Sequence, residues 1–336
     1  MTSGVTEYNK TGAAIVERAF NHIGVKQQGQ SIQAEDAALG LDLLNSLIKS
    51  WQREGSHLWK DKEAALFLEK TRRTYTLGKQ QTRVGDTTEV HTVYATSGDW
   101  VQTTTTAASA ASASTIDITS WTSYAGVTFD TSAPGVSTMK VGVENEDGDL
   151  DWYTVDSVSS LEITITTTIT TAVESGAHVY VYYSAEQLEK PLKIYPDNMR
   201  LYQSSTNELP IWLLAWSDYT TLPDKVSTGT TVQAFYSPDI DNTELAVWPP
   251  SSTVENVLLF RFQSPFDIFN VGTDDQDMPN EWIRPLEWAL AAELGQAFGL
   301  RTDRQMYLDQ KAASLYMQAL EWDQDNTSLF LSPRML

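Results

Sequence analysis

A change of apolar period near Gly78 constrains this chain more than any other feature. Before it, apolar side chains return every three or four residues, as on one face of a helix. After it, Thr, Ser, Val and Tyr alternate with period two, as on a pleated strand. A segment written in one period does not settle in the other structure, so the two textures predict two kinds of layer. From about Thr6 to Gly24, Val16, Ala19, Phe20 and Ile23 share a face, and Gly24 is placed to stop the helix. Ser31 is placed to cap a second helix, with Glu35 and Asp36 in its first turn, where the helix dipole favours negative charge. Ala37, Leu41, Leu44, Ile48 and Trp51 form its stripe, Leu43 and Leu47 widen it, and Gly55 closes it. Two antiparallel helices bury both stripes most simply.

Beyond Gly78 the alternation predicts short strands around Ile116–Ile118, Val141–Val143, Trp152–Val155, Ile163–Ile165 and Val179–Tyr183. Asp147-Gly148 between two of them is a strong hairpin signal. The stretch TTTTAASAASAST (103–115) is low-complexity and reads as an exposed linker or loop. Three further strands are expected at Val232–Tyr236, Glu244–Trp248 and Val257–Gln263. Helical spacing then returns, with Pro279 suited to a first helical position and Trp282, Leu286, Ala289, Leu290, Leu294 and Phe298 as the stripe. Gly299 ends that helix, and Pro285 is expected to kink it or to move its start. Thr302 and Gln305 have the spacing of a capping box for a last helix ending near Trp322.

These signals predict an α+β fold with a helical core built from N- and C-terminal helices and an inserted antiparallel β domain. Residues 1–78 supply the first helical half, 79–187 the insert, and 188–322 strands plus the helices that complete the core. Residues 323–336 are an extended tail. The abrupt change of texture at both ends of 79–187 predicts that a short Gly/Ser linker can replace it. In the tail, Leu329, Phe330 and Leu331 have no apolar partner in their own segment, and Pro333 stiffens the end of the chain. Exposed large side chains of this kind are unfavourable by roughly 1.5–3 kcal/mol each relative to burial. Either the tail folds back on its own subunit, or it is disordered when free and these residues are candidate contacts for a partner.

Charge and composition narrow the function. The chain carries 23 basic and 44 acidic side chains, a net charge of −21. The imbalance begins after residue 78, because residues 1–78 are nearly neutral while 79–190 and 191–336 are each strongly acidic. Such a surface repels phosphate, which suits solubility, or a wall past which DNA slides without sticking. There is no cysteine, Met1–Lys10 lacks a signal-peptide pattern, and the longest apolar run, Ile211–Trp216, is too short to span a bilayer. The expectation is a chain kept soluble in a reducing cytoplasm.

Catalytic signatures are missing. No phosphate-binding glycine loop, dinucleotide fingerprint, GxSxG or HExxH occurs. His22, His57, His91 and His178 are scattered, so neither a metal nor a cofactor is expected. The acidic run Glu144–Asp151 fails as an EF-hand, since aligning Gly148 with the loop glycine puts Val143 at the first ligand position. Asp274, Asp275 and Asp277 precede a helix start, where their charge is stabilising in any case. The 11 tryptophans and 14 tyrosines would form a stacking platform in a glycan-binding module, or anchor interfaces in an assembly subunit. Trp51 and Trp282 lie on helix stripes, where core packing is the default.

Ordered segments carry a resemblance. AEDAAL (34–39), LLNSLIKSWQREG (43–55) and Leu58-Trp59 resemble the opening of the tail accessory factors of short-tailed bacteriophages, the adaptors that stabilise packaged DNA beneath the portal. Leu192–Ile194, Asp218-Tyr219, LPDK (222–225), LAVWP (245–249) and DMPNEW (277–282) come in the family's order. So do LAAEL (290–294), Phe298-Gly299 and Ser332-Pro333. The resemblance covers about 6–78 and 188–336, and 79–187 departs from it. It implies a non-enzymatic subunit of a dodecameric ring at the virion's head–tail junction, binding portal protein above and a tail nozzle, needle or fibre below. DNA would pass through without specific binding, with no membrane involved. The C-terminal tail, with Leu329, Phe330, Leu331 and Pro333, would reach the portal. Two other readings are a tail-associated peptidoglycan hydrolase and a module that binds a glycan or tail fibre through residues 79–187.

Overall fold

In a computed structural model, the described residues are 8–25, 32–53, 58–77, 95–132, 138–204, 207–238 and 243–323. The chain divides into two compact units, one of residues 1–61 with 265–336 and one of residues 62–264.

The first unit is helical. α1 (Gly12–Ile23) is capped by the Thr11 hydroxyl, which accepts from Ala14 N–H, and it ends on Gly24 in the left-handed conformation (φ 80°). α2 (Ala34–Trp51) buries Leu44, Ile48 and Trp51. Gly40 lets α2 approach α1 closely, since a Cβ there would lie 2.5 Å from Val16 Cγ1. The cap position of α2 is Gln33, which makes no side-chain cap bond, and Ser31 and Gly55 lie outside the described residues.

Later in the chain come α4 (Asn280–Ala297) and α5 (Thr302–Trp322), after the short α3 (Trp216–Thr221) of the other unit. Pro279 occupies the cap of α4 rather than its first turn, and Pro285 lies inside the helix without ending it. The expected capping box at Thr302 does not form. Gln305 instead donates to Ala292 O and Asp309, tying α5 to α4. Phe20, Leu44, Ile48, Trp51, Trp282, Leu290, Leu294 and Leu308 meet in one apolar cluster.

The described residues of the second unit form three sheets. The first has the order β12 (Asn207–Pro210), β11 (Arg200–Ser204), β16 (Val257–Gln263), β1 (Asp61–Phe67), β3 (Ala95–Thr96), with β10 (Lys193–Ile194) also paired to β16. The second runs β13 (Trp212–Leu214), β14 (Gln233–Ser237), β15 (Glu244–Trp248), β2 (Thr74–Thr76). It is antiparallel apart from the β13–β14 pair. The third runs β4 (Trp100–Thr104), β9 (His178–Tyr183), β6 (Met139–Glu144), β7 (Leu150–Ser159), β8 (Glu162–Ile165), β5 (Thr115–Asp117). Its two ends meet, because Thr105 bridges Ile118, Thr106 N–H donates to Asp117 O and Thr119 N–H donates to Thr104 O. The third sheet is therefore a closed six-stranded barrel filled by Val101, Ile116, Val141, Val155, Ile163, Val179 and Val181.

Period-two alternation builds the layers. On β16, Leu258, Phe260 and Phe262 face a cluster with Tyr75, Ala234, Leu245 and Val247 of the second sheet. Val257 and Leu259 join another cluster with Trp100, Tyr180 and Tyr182 of the barrel. β1 alternates likewise, with Leu66 in the first cluster and Ala65 and Phe67 in the second. The first sheet is thus buried on both faces, which is why its strands read as continuous apolar runs.

The expected α+β plan of a helical core carrying an inserted antiparallel β domain is corrected by this arrangement. Among the described residues helix and strand take near-equal shares, about 30% and 32%. Three of the four apolar clusters among the described residues belong to sheets, and the central sheet draws strands from both sides of residues 79–187 and β3 from within them.

Candidate functional site

The tail residues Leu329, Phe330, Leu331 and Pro333 lie outside the described residues, as do His57 and His91. His22 and His178 stand apart. His22 stacks on Trp288 at 4.2 Å, and burial lowers its pKa, with Glu287 opposing the shift. The His178 backbone N–H donates to Glu144. No group of three or more potential metal ligands occurs among the described residues.

The acidic motifs are engaged in holding backbone. Asn145 Oδ1 accepts from the N–H groups of Asp147 and Asp149, its Nδ2 donates to Asp151, and Gly148 turns at φ 77°. Glu144–Asp151 is therefore a pinned hairpin tip between β6 and β7. The Asp274 carboxylate accepts from Asn270 and Val271 N–H, while Asp277 pairs with Lys60 and accepts from Asp267 N–H.

In the helical unit Trp51, Trp59, Trp282 and Tyr316 pack against one another, while Tyr307 and Trp322 are exposed. Trp282 lies 5.7 Å from Trp51, 5.2 Å from Trp59 and 5.8 Å from Tyr316, ring centre to ring centre. This is a core rather than a platform. The buried Glu287 of α4 is paired by Lys10. Residues 266–269 are laced to α2 by Lys49 Nζ donating to Phe266 O and by a reciprocal pair between Asn45 and the Phe269 backbone.

Among the described residues of the β unit, two clefts stand out. One, between the central sheet and the barrel, is lined by Glu63, Asp99, Trp100 and Tyr124. Its recognition groups are already engaged with one another. Arg200 pairs with Glu63 and Glu208 and donates to the Tyr124 hydroxyl, and Tyr124 stacks on Trp100 at 5.1 Å. Burial, then Asp99, raises the pKa of Glu186 at this edge.

The other cleft lies between α3 and the second sheet. Phe235, Ala246 and Thr74 are direct cross-strand neighbours on β14, β15 and β2 and form its floor. Trp216 and Tyr219 of α3 form its wall, at 5.3 and 5.4 Å from the Phe235 ring. Arg73, Lys225 and Glu244 complete it. Lys225 Nζ lies 5.4 Å from the Tyr219 ring centre and donates to Thr220 O. Its loop is held by Asp224, whose carboxylate accepts from Val226 and Ser227 N–H, and by Trp248 Nε1, which donates to Pro223 and Asp224 carbonyls. Sequence reasoning passed over this site. The available signal was Trp212 and Trp216 in the longest apolar run, which is too short for a membrane and is in fact a strand followed by a helix start.

In comparison with known proteins, no family model matches the chain, and no curated protein does either. No helix among the described residues is long and apolar enough to cross a membrane.

Proposed function

We propose that this chain is a structural adaptor of a short-tailed phage virion, a subunit that binds below the portal, extends the DNA channel and connects to the tail. The reading assigns it no catalytic step. One observation carries it: segments that resemble the adaptor family, far apart in sequence, interlock within each compact unit. In the helical unit, Trp51 and Trp59 of the early segment pack on Trp282 of DMPNEW. In the β unit, Trp248 of LAVWP donates to the carbonyls of Pro223 and Asp224 in LPDK. The net charge of −21 supports the same reading, since DNA passing a wall of like charge slides rather than binds.

Self-repulsion at that charge favours a monomer until a portal ring templates assembly, by resemblance as twelve copies at the head–tail junction. Electron microscopy of the purified chain mixed with portal protein tests this. The expected images show a second ring beneath the portal, and single particles when portal is omitted. Portal rings that stay bare would overturn the reading.

A further inference from the structure

We propose that the cleft between α3 and the second sheet binds an acidic saccharide, a sugar ring bearing a carboxylate. The site is independent of the adaptor reading. Trp216 is 65% exposed although its ring leans on Phe235, so its outer face is offered to solvent on a fixed base. A large amphipathic ring held in this way suits the C–H face of a pyranose. The half-open cleft has a volume of about 300 Å³. That is at the lower end of the range of roughly 300–1,000 Å³ for small-molecule sites and is room for one sugar ring.

Its polar groups select the ligand further. Basic side chains are outnumbered by acidic ones, 23 to 44, yet two of them, Arg73 and Lys225, line this one cleft. The Arg73 guanidinium makes no ion pair or side-chain hydrogen bond among the described residues. Its planar donors fit a carboxylate. Lys225 uses one N–H on Thr220 and is held in place by the Tyr219 ring and the Asp224 turn, which leaves donors for the same anion.

Glu244 in the same cleft decides against a phosphate chain. Phosphodiesters offer only acceptors and would be repelled there, whereas sugar hydroxyls donate to a carboxylate. Thr74 and Thr220 add hydroxyls at the floor and wall. A ligand with one anion, several hydroxyls and an apolar ring face matches all of these groups together.

Calorimetric titration of the full chain with galacturonate, its methyl ester, N-acetylneuraminate, an eight-residue oligothymidylate and an acidic peptide tests the assignment. The acid is expected to bind at least about tenfold more tightly than the ester, because only the acid engages Arg73 and Lys225. Arg73→Gln and Trp216→Ala are each expected to weaken it by about tenfold or more without moving the melting temperature, since both side chains are exposed. Should Trp216→Ala misfold, Arg73→Gln alone decides. Equal binding of acid and ester, tighter binding of the oligothymidylate or the peptide, full affinity in Arg73→Gln, or no binding of either sugar acid would each overturn the proposal.

Discussion

At the scale of single residues, two positions show how little slack the helical unit has. The Cβ that Gly40→Ala introduces would fall 2.5 Å from Val16 Cγ1, and a valine on a helix has one preferred rotamer, so it cannot swing aside. Overpacking of this kind costs about 1–3 kcal/mol, and the melting temperature is expected to drop by several degrees. Adding Val16→Ala should recover part of the loss, and a double variant no better than the single one would show that the clash is elsewhere. His22 makes the unit sensitive to pH. Burial against Trp288 lowers its pKa; Glu287 opposes, while Arg18, Arg304 and Lys10 act with burial. The unfolded chain therefore takes up this proton first as pH falls below the ordinary 6.5. The stabilisation from neutral His22 is complete above that value and declines beneath it. Between pH 7.5 and 5.5 the melting temperature of the native chain should fall further than that of His22→Gln, and parallel curves would refute the role.

At the scale of elements, the barrel behaves as a layer rather than a bead. It carries its own closed core, but Trp100, Tyr180 and Tyr182 on its outer wall cover Ala65, Phe67, Val257 and Leu259 of the central sheet. Joining Thr96 to Gln187 by a short Gly/Ser link should therefore give a protein that aggregates or binds a hydrophobic dye. Each uncovered large side chain costs roughly 1.5–3 kcal/mol. Phe67→Thr with Leu259→Thr in the same deletion should restore solubility. A well-behaved deletion without those changes would mean that the contact is dispensable. Five barrel strands, β5 to β9, and the Asp147-Gly148 hairpin were legible because alternation with one face in a core leaves a period-two trace, whereas β4 was not. β1 was not, because Ala64, Ala65, Leu66 and Phe67 are good or tolerated helix residues and burial on both faces erases alternation. The stretch 103–115, expected as an exposed linker or loop, is mostly exposed loop from Thr106 to Ser114, yet backbone bonds from Thr105 to Ala177, Ser109 to Val173 and Ser112 to Ile169 tie it to the barrel. Small polar side chains hide such order, since it lies in the main chain. The α3 cleft was equally hidden, because Arg73, Trp216 and Phe235 are brought together only by strand pairing and the turn at Asp224.

For the whole molecule, the adaptor reading places the partner contact at the end of the chain. A variant ending at Asn326 lacks Leu329, Phe330, Leu331 and Pro333 and is expected to melt as the full chain does while failing to join the portal. Undiminished portal binding would remove the tail from that role. The same variant should leave sugar titrations at the α3 cleft unchanged, which separates the two proposals. The neck of the barrel bears on how such a molecule changes over generations. The chain leaves the central sheet at Thr96 and returns at Gln187, two residues that bridge each other, so entry and exit lie side by side. A graft at that neck needs no new path for the chain, and a lineage can trade one barrel for another in a single recombination. What it cannot trade freely is the aromatic underside, because every newcomer inherits the duty of covering Phe67 and Leu259.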